Sequence, residues 1–306
     1  MSAIPVSQGA AAFGEAIASA TVRTHEPRRR SRAAQLARWV VLLGLAGLFL
    51  YPFAWLISAS FKPRAEVFDN RLIPLNPTWS NYAKVWDVAP LLTWFGNSAL
   101  VAILAASSVT ASSALVAFGF AYFRFPLRNA LFGLVLATMM LPSMVTMIPV
   151  FLIWKDLGAL NTRLPLWGAN LFGSPFYIFL LRQFFLTLPR ELFDAARIDG
   201  CSNFGVFRRI AVPMSKPALI MVFVFEIQAS WDDLLKPLIY LRDVHLYTIP
   251  LGLNSLFVKF NPVAGGEGDF QYIVTAALLS TIPMVVIFAV CQRYFVEGIA
   301  ATARRG

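Results

Sequence analysis

Residues 188–213 read LPRELFDAARIDGCSNFGVFRRIAVP. Pro189 suits a first helical turn and Glu191 follows it at the positive end of the helix dipole, so a short helix is predicted to start there. Leu192, Phe193, Ala195, Ala196 and Ile198 give that helix an apolar side with small residues, and Asp199-Gly200 is a stop-and-turn signal. Ser202 then caps a second short helix that presents Phe204, Phe207 and Ile210, carries Arg208 and Arg209, and closes at Pro213. An apolar-faced helix-turn-helix of this kind either docks into another protein or lies on a bilayer.

The flanking sequence is built for lipid. The chain has 306 residues, 58% of them hydrophobic and 14% charged, with a mean hydropathy of +0.65, which excludes an ordinary soluble domain. A bilayer core about 30 Å thick needs roughly 20 apolar residues in helix. Trp39 to Phe61, Val88 to Phe123 and Asn129 to Trp154 supply spans one to three, and Leu164 to Leu181 supplies span four if Arg182 snorkels. Span five covers Ser215 to Tyr240, interrupted by Glu226, and Phe270 to Gln292 is a charge-free span six. The fold class is therefore an all-α membrane protein with six transmembrane helices.

Orientation follows from Lys and Arg, because positively charged short loops stay in the cytoplasm. Six arginines lie between residues 23 and 38. With that end inside, the 2-3 turn (Arg124, Arg128), the quoted 4-5 loop and the tail (Arg293, Arg304, Arg305) are inside too, and both termini are predicted to be cytoplasmic. The net charge of +10 thus sets topology; basic surfaces for nucleic acid are not interleaved with long apolar runs. Residues 1–37 are expected to be a disordered basic tail, 38–298 the six-helix domain containing the quoted loop 188–213, and 299–306 a cytoplasmic tail. The first 22 residues lack a basic start followed by a compact apolar core, so no cleaved signal is expected there. Outside, Lys62 to Pro90 suits a segment lying at the interface, and Arg242 to Asp269 is expected to project from the membrane.

Arg182-Gln183-Phe184-Phe185, Leu188-Pro189-Arg190-Glu191-Leu192 and Asp194-Ala195-Ala196-Arg197-Ile198-Asp199-Gly200, with Phe207, Ile210 and Pro213 behind them, resemble the EAA loop of binding-protein-dependent importer permeases. Ser60-Phe61-Lys62-Pro63, Asn81-Tyr82, Asn97-Ser98, Ala121-Tyr122-Phe123-Arg124-Phe125, Leu141-Pro142, Trp231-Asp232-Asp233, Pro237-Leu238 and Gln292 to Gly298 are similar to its sugar subfamily, in order along the chain. The resemblance implies the type I ABC importer permease fold, in a multi-pass subunit of the bacterial or archaeal cytoplasmic membrane. It also implies a second permease as heterodimer partner, two copies of a P-loop ATPase subunit and an extracytoplasmic sugar-binding protein. In such systems the EAA loop is the coupling helix seated in the ATPase, which here assigns that role to Glu191, Asp194, Ala195, Ala196, Asp199, Gly200, Phe207, Ile210 and Pro213. The family more often has Glu at the position of Asp194. The chain would bind no cofactor or metal and catalyse nothing; it has no P-loop, and ATP and Mg belong to the partner ATPase.

Three features stay open between two readings. Glu226, in mid-span, faces a translocation path or glues helices together, since an ionised carboxylate there costs about 2.5–3.5 kcal/mol. Trp231 and Asp232 contact sugar or form an interfacial anchor and cap; relatives usually have Asn at the position of Asp232. The outer segment with Asn261, Pro262, Gly265 and Gly266 is a scoop reaching the binding protein, or a flexible linker. An ion-coupled secondary transporter using Glu226 is the alternative function. Cys201, Cys291, His25 and His245 form no metal-ligand or redox spacing.

Overall fold

The computed structural model describes residues 32–261 and 268–303. The expected tail before Arg32, residues 304–306, and Pro262, Gly265 and Gly266 lie outside the described residues. The chain divides into two compact units, Met1–Ala54 and Trp55–Gly306. The described part of the first is most of helix α1 (Arg32–Ser60). Its apolar residues from Leu36 to Phe53 are exposed. A helix of this length that is apolar on all sides is built for lipid.

In the second unit α3 (Leu91–Tyr122) is the central helix. Ala102, Ala105, Ala106, Ser113, Ala114, Ala117 and Ala121 are buried along it, and such small residues let neighbouring backbones approach closely in a membrane. Packed on α3 are α7 (Pro175–Phe185), α10 (Lys216–Trp231) and the 3-10 turn Gly168–Phe172 that follows α6 (Leu164–Trp167). The last helix, α13 (Phe270–Ala303), packs on α10 and on the short outer helix α2 (Ser80–Val88).

Four helices, one of them the α6–α7 stretch Leu164–Phe185, are long and apolar enough to cross a membrane, and two bent pairs complete six spans if each pair is one. The bends correct two expectations. Span three is not one helix over Asn129–Trp154 but α4 (Arg128–Thr138) and α5 (Ser143–Asp156), bent by 96°. Pro142 stands at the break, where it offers no backbone N–H to continue the ladder. Span five, expected over Ser215 to Tyr240, is helical as α10 only to Trp231, and Asp233 accepts from the Lys236 N–H to start a separate α11 (Leu235–Tyr240). Its other end turns by 80° from the preceding segment 203–214.

The segment 242–261, expected as a projecting loop, is partly helical. Residues 249–260 form α12 (Ile249–Phe260), opened by Pro250 and burying Ile249, Leu251, Leu256 and Phe260. A Cβ on Gly252 would land on the Trp94 indole, so only glycine admits that approach. Asn97 Nδ2 donates to His245 O and Tyr247 O at 2.8 and 2.9 Å, and Ser98 Oγ accepts from Ile249 N at 2.8 Å. On the other side Asn81 Nδ2 donates to Ser60 O and Lys62 O, both at 2.9 Å. Lys62, at the start of the segment expected to lie at the interface, is 1% exposed and its Nζ donates to Asp69 O. Its charge sits inside the outer cap.

Candidate functional site: the 190–214 loop and a polar cluster in the bundle

The loop folds by its local signals. Pro189 is extended at the N-cap of α8 (Arg190–Ile198), with Glu191 in the first turn and Arg197 in the last. Gly200 adopts φ +81°, its N–H reaches Arg197 O at 3.0 Å, and Cys201 N–H reaches Ala196 O at 2.9 Å. That pair of bonds closes the helix as a Schellman turn, which needs a left-handed residue at Gly200. Ser202 Oγ accepts from Gly205 N at 3.1 Å and caps α9 (Asn203–Val206), which runs on through a π-helical turn, Phe207–Ala211, to Val212–Met214.

Helical spacing gives α8 three distinct sides. Phe193 and Ala196 are buried, with the Phe193 ring 6.2 Å from Phe118 and 5.3 Å from Tyr122 on α3. Burying Phe193 stabilises this seat by about 2–3 kcal/mol. Phe207 lies 5.3 Å from the same Phe118 ring, and Ile210 packs on the same cluster. These two side chains therefore hold the loop on α3 from behind. Opposite the seat, Glu191, Ala195 and Ile198 face out, Ile198 at 87% exposure. On one flank Arg190, Asp194 and Arg197 line, with Tyr122, Phe123 and Arg124, a crevice of about 400 Å³. Asp199, Gly200 and Pro213 are exposed. The side read as uniformly apolar is thus divided: Phe193 and Ala196 go in, while Ala195 and Ile198 stay out.

Inside the bundle, Glu226 on α10 accepts from Asn170 Nδ2 at 2.5 Å and from Ser230 Oγ at 3.3 Å, and the Tyr177 phenol lies beside it. Asn170 belongs to the 3-10 turn of span four and accepts from Ser112 Oγ of α3 at 3.0 Å. The carboxylate thus joins span five to span four, and the Asn170 backbone carbonyl joins span four to α3, the arrangement that makes a polar group tolerable in lipid. Asn170 was a legible signal, a lone amide in an apolar span. Its partner was not, because 56 residues separate the two.

Trp231 is 6% exposed. Its Nε1 donates to Ser280 O at 3.3 Å and its ring sits 6.2 Å from Phe95, so the indole is occupied by packing between α3 and α13. Asp232 is exposed at the end of α10. Asn261 follows α12 and is half-buried. Arg182, expected to snorkel, is half-buried, with its guanidinium 4.1 Å above the Phe132 ring and donating to Phe120 O at 3.4 Å, a cation–π seat.

Comparison with known proteins agrees with this geometry. The family described as "Binding-protein-dependent transport system inner membrane component" matches residues 111–300. The arabinooligosaccharides transport system permease protein AraQ of Halalkalibacterium halodurans is 30% identical over 285 residues, covering 90% of this chain and 100% of that protein. The sn-glycerol-3-phosphate transport system permease protein UgpE of Salmonella typhi is 35% identical over 270 residues, 85% of this chain and 93% of that protein. The osmoprotective compounds uptake permease protein GgtD of Synechocystis is 33% identical over 290 residues, 91% and 95% respectively. A solved bacterial ABC transporter involved in alginate import shares the fold with a TM-score of 0.76 at 23% identity, covering 87% of this chain and 98% of that one.

Proposed function

The chain belongs to the family of binding-protein-dependent transport system inner membrane components, and we propose from that premise how it takes part in import. As a multi-pass permease subunit of an ABC importer it catalyses no reaction, and its relatives set aside the ion-coupled alternative built on Glu226. It pairs with a second permease as a heterodimer, beneath an extracytoplasmic binding protein and above two P-loop ATPase subunits that bind ATP and Mg. Both termini then lie in the cytoplasm of a bacterial or archaeal cell. The solute is polyhydroxylated: a di- or oligosaccharide, a polyol or a glycerol phosphate ester. Relatives named for arabinooligosaccharides, sn-glycerol-3-phosphate and osmoprotective compounds support that range.

One observation carries the mechanism. The buried side of α8 is keyed into α3 by Phe193, while Glu191, Ala195 and Ile198 face outward. A partner closing on that outward side, with Asp199 and Gly200 at its tip, displaces α8 as a rigid knob, and the aromatic seat passes the displacement to α3. Because α3 packs on α10 and, through Ser112 and Asn170, reaches Glu226, the motion arrives at the middle of the bundle. Glu226 and Asp232 then border the solute path, and the segment from Asn261 through Pro262, Gly265 and Gly266 reaches toward the binding protein. Purifying the tagged chain from its own membranes in mild detergent and sequencing what co-purifies tests the assembly. A P-loop ATPase and a second permease are expected; recovery of the chain alone, with uptake that follows an ion gradient, overturns it.

A further inference from the structure

The flank of α8 that is neither seated on α3 nor turned outward has its own chemistry. Arg190, Asp194 and Arg197 recur at helical spacing, and Arg124, the second residue past the end of α3, faces them across the crevice of about 400 Å³. Asp194 is the single acid among its lining residues, against three arginines. Among the described residues the side chains of Arg124, Arg190 and Asp194 form no hydrogen bond or ion pair, whereas Arg197 is held over the Tyr122 ring at 5.4 Å and donates to Asn203 Oδ1 at 3.2 Å. Two guanidinium forks therefore stand uncommitted over a concave surface, in the geometry that receives phosphate oxygens.

The surroundings of Arg124 decide which phosphate. The 2-3 turn that carries it continues as Phe125-Pro126-Leu127-Arg128, and a second cavity of about 330 Å³ lies on that side of Arg124, lined also by Phe125, Leu127, Arg128 and Asn129. Phe125 and Leu127 are 38% and 74% exposed, and Leu127 holds a left-handed φ of 60° that ordinary side chains avoid. Cations alternating with exposed apolar side chains, directly where two spanning helices emerge, match a lipid interface: headgroup phosphate on the arginines and acyl chain beneath the leucine. A soluble anion needs the arginines and has no use for Phe125 and Leu127.

We propose that the crevice between the 2-3 turn and the Arg190/Asp194/Arg197 flank of α8 is a binding site for the phosphate headgroup of an anionic phospholipid. The lipid phosphate then sits on Arg124 and Arg190, beside the loop that receives the ATPase, and leaves Asp194 and the outward face to the ATPase. The inference rests on the proposed placement of that loop at the cytoplasmic face and is independent of which solute is carried.

The test uses the chain with its co-purifying subunits in mild detergent. Native mass spectrometry is run with added phosphatidylglycerol or phosphatidylcholine, and protection of the arginines from phenylglyoxal is followed in parallel. Phosphatidylglycerol is expected to bind in preference, and Arg124→Gln with Arg190→Gln to weaken it by about fivefold for each arginine removed. Arg124→Lys with Arg190→Lys is expected to retain most of the binding, and Arg64→Gln, in the outer ion pair with Asp269, to retain all of it. If the double glutamine variant fails to assemble, Arg124→Gln alone, outside any helix, gives the same reading. Equal binding of the two lipids, or undiminished phosphatidylglycerol binding by the glutamine variants, overturns the site. Inorganic phosphate protecting the arginines as well as phosphatidylglycerol does would assign the crevice to a soluble anion and overturn the lipid.

Discussion

The 190–214 loop and the Glu226 cluster both hang on α3, yet they are held by opposite means. The loop is seated by rings, Phe193 and Phe207 against Phe118 and Tyr122, with backbone bonds at Gly200 and the Ser202 hydroxyl cap shaping its corner. The cluster is seated by hydrogen bonds across three spans, from the Ser112 hydroxyl to the Asn170 backbone carbonyl and from the Asn170 side-chain amide to Glu226. Outside the bilayer, water drives apolar rings together, and the seat gains the full hydrophobic term. Within lipid that term vanishes, because tails are as apolar as leucine, and a hydrogen bond gains only what its partners lack elsewhere. If the joint transmits force as proposed, it is strong at the loop and soft in the middle of the bundle, and that gradient would let α10 shift against α3 while α8 stays attached.

The sharpest way to break the contrast is Phe193→Ala. Removing the ring leaves a cavity under α8 and should cost about 3–5 kcal/mol locally. Expected are a lower melting temperature of the purified complex, ATP hydrolysis no longer tied to uptake, and normal insertion in the membrane fraction. Unchanged coupling would mean that α8 does not drive α3 through this seat.

Next comes Gly200→Val. The φ of +81° is strained for any Cβ, though nothing within 4 Å would meet the new side chain, so the penalty is one of backbone alone, about 1–2 kcal/mol and more for a β-branched residue. Uptake should fall while chain abundance in the membrane holds. Wild-type uptake would remove Gly200 from the coupling turn.

For the soft end, a double-mutant cycle on Asn170→Leu and Glu226→Leu should return a coupling of about 1 kcal/mol, the scale of interhelical hydrogen bonds in membranes. Glu226→Gln leaves an amide oxygen to accept from Asn170 and is expected to assemble like the wild type. If it also transports normally, the carboxylate acts as glue; if it assembles but fails to transport, its charge serves the path. A coupling near zero would dissolve the cluster as a joint.

What could be read from the chain follows the same division. The loop was legible down to single residues because Pro189, Asp199-Gly200 and Ser202 act on their immediate neighbours. The count of six spans came from length and hydropathy, which need no partner. The 96° bend at Pro142 and the α12 helix were not read. An apolar run looks continuous whether or not its backbone turns, and the polar end of the 242–269 segment masked the apolar helix within it. Trp231 illustrates a further limit: an aromatic beside two aspartates looks like a sugar platform, and only the position of Ser280 and Phe95 shows the ring enclosed.

The smallest effect expected tests a residue with no locally favourable reason to be where it is. Leu127 holds φ 60° in the 2-3 turn, and Leu127→Gly relieves about 1–2 kcal/mol of left-handed strain. Glycine also frees the unfolded chain, which takes back about 0.4–1 kcal/mol. In detergent the variant should therefore melt slightly higher, by an amount equivalent to about 0.5 kcal/mol. In bilayers containing phosphatidylglycerol the gain should disappear, because the leucine that reaches the acyl region is gone. A gain of equal size in both settings would make the strain a cost without an interfacial return and would leave Arg124 and Arg190 to hold a headgroup on their own.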